Sequence, residues 1–113
     1  MTIKAKETMS APFFVEHLKI SQSLLEGQDS QLTCSWAGSS ATVIQWQRNG
    51  KVLTPDGNFK IEVKDTTSTL FIKNARQEDG GLFACIIAND AGSNMSRCQV
   101  NVSCMIIFFV YLK

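Results

Sequence analysis

One histidine and four cysteines are the only imidazoles and thiols in this 113-residue sequence, and they bound the chemistry it could do. A nucleophilic triad needs a base beside a nucleophile, and a histidine-based zinc site needs several donors at set spacing. His17 stands alone, on an expected edge strand, and reads as a surface or partly packed residue. No Cys-x-x-Cys occurs, and no glycine-rich phosphate loop follows a strand. Asp56, Glu62, Asp65, Glu78 and Asp79 are scattered over turns, where carboxylates serve solvation. Cys98 and Cys104 fall on one expected strand, where six extended residues separate them by about 20 Å. They cannot bridge one another. Cys98 reads as a core thiol and Cys104 as incidental, and free thiols of this kind suit a reducing compartment. The residues therefore point away from an enzyme: no catalytic group, cofactor, metal or small-molecule substrate is expected.

Other features concern where the chain works and what it meets. Asn94-Met95-Ser96 and Asn101-Val102-Ser103 are glycosylation sequons, to be used only in a secreted chain. Eleven basic and ten acidic residues give a net charge of +1, too little to draw the protein to nucleic acid or to an anionic bilayer. Lys60, Lys64, Lys73 and Arg76 are interleaved with acids and read as a solvated face. The first ten residues have no apolar stretch of the kind a secretory signal needs, which suits an intracellular chain or a segment of a longer one. Met105 to Leu112 is an unbroken apolar run, well short of the roughly twenty residues that span a bilayer. Membrane attachment is not expected. The chain divides into a leader over 1–10, a folded domain over 11–103 and an apolar tail over 104–113.

The elements that would position these side chains follow from alternation. Hydrophobic content of 44% and charged content of 19% are those of a globular chain. Residues 13–20 read as an edge strand opened by Pro12, continued by a short segment over 21–26. Over 30–36, Leu32, Cys34 and Trp36 share one face; over 43–48, Ile44 and Trp46 do so before the turn Asn49-Gly50. Pro55-Asp56-Gly57 marks a turn within 51–57. Phe59, Ile61 and Val63 then point inward, followed by Leu70 and Ile72 over 67–73. A polar corner over 77–81 precedes 82–89, with Phe83, Cys85 and Ile87 inward. The last strand, 93–103, turns Cys98, Val100 and Val102 inward. Both tryptophans share parity with the core. Short strands divided by turn signals every eight to twelve residues predict an all-β antiparallel sandwich of seven to nine strands.

Leu32-Thr33-Cys34, Trp46, Leu70-Phe71-Ile72, Asp79-x-Gly81-x-Phe83-x-Cys85 and Asn89-x-x-Gly92 together resemble the intermediate (I-set) class of immunoglobulin domains. The resemblance covers about residues 11 to 103. Ala11-Pro12-Phe13-Phe14-Val15 and Asn89-Asp90-Ala91-Gly92 are most similar to domains of titin, obscurin, palladin and myosin light chain kinase. It implies a structural core of Cys34, Trp46, Leu70, Ile72, Asp79, Gly81, Phe83 and Cys85, with Cys34 and Cys85 adjacent across the sandwich and the indole over them. The pair is either a disulfide, which would close a loop of about fifty residues and stabilise by about 4 kcal/mol, or two packed thiols. Phe83 stands where the family has a tyrosine, so the corner lacks its hydroxyl bond. Asp79 is expected to anchor that corner. The implied function is a non-catalytic protein-binding and scaffolding module of a sarcomeric or cytoskeletal protein, with Leu24 and Leu25 meeting Val100 and Val102 on a load-bearing parallel ladder. Its partners would be cytoskeletal proteins or neighbouring immunoglobulin domains. The alternative is a fragment of an extracellular adhesion molecule or receptor.

Overall fold

The structure is a computed structural model that describes residues 10–39 and 43–104. The leader over 1–9 and the apolar run from Met105 lie outside the described residues. Nine strands form two sheets: β1 (Phe13–Glu16), β2 (Ser21–Leu25), β3 (Ser30–Ala37), β4 (Val43–Arg48), β5 (Lys51–Val52), β6 (Phe59–Lys64), β7 (Thr67–Ile72), β8 (Gly81–Asn89) and β9 (Gly92–Ser103). One sheet has the order β1-β3-β7-β6 and the other β2-β9-β8-β4-β5. Each inner face is apolar at every second residue, so stacking the two removes both from water. Leu32, Cys34 and Trp36 face Trp46, Phe83, Cys85, Ile87, Cys98 and Val100 across the gap, all 5% exposed or less.

Two expectations need correction. The stretch 13–20 is not one strand. Beyond a register shift at Phe14/Glu16 the chain leaves the first sheet and crosses to the second, where β2 pairs parallel to β9. The crossing is fixed by Leu18, which is buried and whose amide donates to Ser96 Oγ at 2.9 Å. Ahead of the turn at Pro55-Asp56-Gly57, Lys51–Val52 pairs with β4 as a short strand with no counterpart in the sequence reading. Val63 is 48% exposed rather than inward: it lies toward the end of an edge strand, past the cover of the opposite layer.

The corner before β8 is a short 3-10 turn, Gln77–Asp79, built around a carboxylate. Asp79 is 3% exposed and accepts hydrogen bonds from the Arg76 amide, at 2.8 Å, and from the Asn58 side chain. These bonds hold the corner without the missing hydroxyl, and Phe83 fills the space beneath as a buried ring 6.0 Å from Phe59.

Candidate load-bearing and docking surfaces

The sulfur pair and the indole sit at the centre of the sandwich. Trp46 on β4 is in register with Cys85 on β8, and Cys34 on β3 with Ser68 on β7. Trp46 Nε1 crosses the gap to donate to Ser68 Oγ at 2.9 Å, and the Ser68 hydroxyl in turn donates a hydrogen bond to the Glu62 carbonyl at 3.1 Å. A buried indole N–H left unpaired would be costly, so this relay ties the sheets together at one fixed register. Leu70 and Ile72 share the same core, on the strand that carries Ser68.

Cys34 and Cys85 are adjacent as free thiols in this structure, hydrogen-bonded to one another. The bond from Cys34 and then burial push the Cys85 thiol far above its ordinary range. Burial also raises Cys98, opposed by the nearby Lys19 ammonium. These are packing groups, held protonated rather than poised to react. Among the described residues no three His, Cys, Asp or Glu side chains cluster to hold a metal ion. Surface clefts of about 380 and 450 Å3 are lined largely by turn and charged residues, including Arg48, Lys51 and Asp56 in one and Glu62, Lys64 and Asp65 in the other.

The parallel ladder pairs Ser21 through Leu25 with Gln99 through Ser103. Its ends are extended by Gln99 N donating to Ile20 O at 2.9 Å and by Glu26 N donating to Ser103 O at 2.8 Å. Leu24 lies opposite Val102, as expected, but Leu25 lies opposite Ser103, and Val100 opposite Gln22. The second leucine faces a hydroxyl because the parallel register advances both strands together.

A different surface is the outer face of the five-stranded sheet. Val43, Ala88 and Ser93 form one row across β4, β8 and β9, and Gln45, Ile86 and Met95 the next. Val43, Leu82 and Met95 are 47%, 39% and 44% exposed. Arg97 is the only charge among the outward positions of these three strands. On the other sheet Lys60, Glu62 and Lys64 alternate in sign, and Lys73 and Arg76 lie 3.9 and 3.6 Å from Asp29 and Glu78, so the basic positions are a solvated, balanced face.

Both sequon asparagines are exposed on β9, and Asn94 in addition donates its side-chain amide to the Pro12 carbonyl at 2.8 Å. His17 packs beside Phe14 and lies 3.2 Å from Ser96 Oγ, in a structural setting. Three contributors escaped the sequence reading: Ser68, Ser96 and Asn49. The first two were legible in principle, since both fall on the inward parity of their strands. Asn49 was not, because its side chain bonds across to β8.

The model of the immunoglobulin I-set domain matches residues 12–102. The chain belongs to the immunoglobulin I-set family. This immunoglobulin domain is 31% identical over 99 residues to human cardiac-type myosin-binding protein C, covering 88% of this chain and 8% of that protein. It is 34% identical over 101 residues to the muscle M-line assembly protein unc-89 of Caenorhabditis elegans, covering 88% of this chain and 1% of that one. The chain thus spans a small fraction of the relatives it matches. Among solved structures, titin domains z1z2 in complex with telethonin share the fold with a TM-score of 0.79 at 23% identity, over 86% of this chain and 50% of that one. The sandwich expected from alternation is therefore the family's fold, and homology to muscle proteins accords with a non-catalytic scaffolding module.

Proposed function

We propose that this immunoglobulin domain serves a sarcomeric or cytoskeletal protein of the cytoplasm as a load-bearing and protein-docking module, without catalysis. The observation that carries the reading is the parallel β2–β9 ladder. In a parallel pair joined at opposite chain ends, a pull on the two termini runs along the strands and loads every hydrogen bond together. A hairpin pulled from its open end instead yields one bond at a time. Muscle relatives and a folded core over 11–103 support the same reading. Docking is supported by the titin domains of like fold, which are found with telethonin. The outer face of β4, β8 and β9 is the surface we favour, and its single cation, Arg97, asks for an apolar partner protein bearing a carboxylate.

Single-molecule stretching between handles at residues 10 and 104 tests the mechanical part. Unfolding is expected at forces well above those of an isolated hairpin, and forces no higher than that would remove the role. The extracellular reading is favoured by one feature, the exposed sequons at Asn94 and Asn101. A glycosidase mobility shift at Asn94 or Asn101 in native tissue would support it.

A further inference from the structure

The turn between β4 and β5 contains the one Asn-Gly pair in the sequence, and its asparagine is held in an unusual way. Asn49 and Gly50 both have positive φ, 54° and 82°, as a two-residue hairpin turn requires. The Asn49 amide donates to the Leu82 carbonyl at 2.8 Å, and its Oδ1 accepts from the Leu82 amide at 2.9 Å. The side chain lies directly against Gly81, where a Cβ would come within 2.8 Å of Oδ1 and 3.1 Å of Cγ. Gly50, by contrast, has nothing within 4 Å of the position its Cβ would take. A glycine with open space beside its Cα and no side chain to screen its nitrogen therefore follows a side-chain amide that is pinned to the neighbouring strand.

We propose that Asn49-Gly50 is a deamidation site that the fold holds closed, so that residue 49 records episodes of unfolding. The chemistry needs only water. The Gly50 nitrogen gives up its proton to a base and attacks Asn49 Cγ, forming a C–N bond, and ammonia leaves with the old amide nitrogen. Water then opens the resulting succinimide at either carbonyl, giving aspartate or isoaspartate with no change of oxidation state. In the folded domain Cγ cannot swing back to that nitrogen without breaking the Leu82 bond and leaving its seat on Gly81. Protection thus equals the free energy of opening the turn, locally or with the whole domain. The other asparagines precede Phe59, Ala75, Asp90, Met95 and Val102, whose side chains all hinder the same attack.

The isoaspartate product would not refit. It inserts a methylene into a main chain that has only two residues between Arg48 and its partner Lys51. The turn dihedrals and the acceptor for the Leu82 amide are lost together, which loosens the start of two-residue β5 and leaves Leu53 N donating to Trp46 O at 2.9 Å to hold its far end.

The test is peptide mass mapping after incubation of the full chain at body temperature and mildly alkaline pH, folded in buffer or unfolded in guanidinium chloride. A short peptide spanning the turn, in both solvents, gives the intrinsic rate. Conversion at Asn49 is expected to be about tenfold or more slower in the folded protein than in the unfolded protein or peptide. Equal rates would overturn the proposal, and so would conversion of another asparagine first. Gly81→Ala, which displaces the Asn49 side chain, is expected to raise the rate in protein still folded by circular dichroism. A folded variant converting no faster than wild type would overturn the clamp, and if the variant does not fold the wild-type comparison decides alone.

Discussion

At the scale of single residues, the core works by keeping polar atoms paired and thiols protonated. Cys85 and Cys98 are buried, and both thiols are pushed above their ordinary value of 9.0. Below that pH the folded and unfolded chains hold the same protons, so these groups add no pH dependence. Above it the unfolded chain sheds thiol protons that the native core retains, so stability falls as pH rises. Guanidinium midpoints below and above pH 9 should show this decline, and Cys85→Ala, though less stable overall, should show a shallower one. An unchanged slope would mean that Cys85 titrates normally. The sulfur pair and Trp46 were legible because the family pattern and strand parity agree on them. Ser68 was passed over because a serine at a core position looks like an error until the indole opposite needs an acceptor.

At the scale of elements, strands that alternate cleanly were legible to within a residue or so, and the failures fall where a strand changes partner. Nothing in Phe13 to Ile20 announces that the chain switches sheets, since what fixes the switch is a hydroxyl from β9, far along the sequence. Two-residue β5 was likewise too short to show a period. The ladder itself gives a sharp expectation. Glu26→Pro removes the amide that donates to Ser103 O and so shortens the parallel run by one bond. Equilibrium stability should drop by about 1 kcal/mol, while the stretching force should fall disproportionately because the remaining bonds share the same load. A force unchanged from wild type would place the mechanical resistance elsewhere.

At the scale of the whole molecule, the strands run from Phe13 to Ser103 and the family match over 12–102, and the apolar run that follows bears on solubility. Met105 to Leu112 is uncharged, rich in β-branched and aromatic residues, and free of proline, the composition of an aggregation-prone segment. Removing residues 104–113 is expected to raise soluble yield, and equal solubility of the two chains would refute it. Partner identity was the least legible property, because the residues that specify this fold are inside it while those that would choose a partner lie on its outer face.

The last strand of the domain is an interior one, bonded to β8 along Gly92–Val100 and to β2 along Gln99–Ser103. On the ribosome this means that the five-stranded layer stays open until its final dozen residues emerge. Throughout that interval two edges are bare at once, each able to capture a strand from a neighbouring nascent chain.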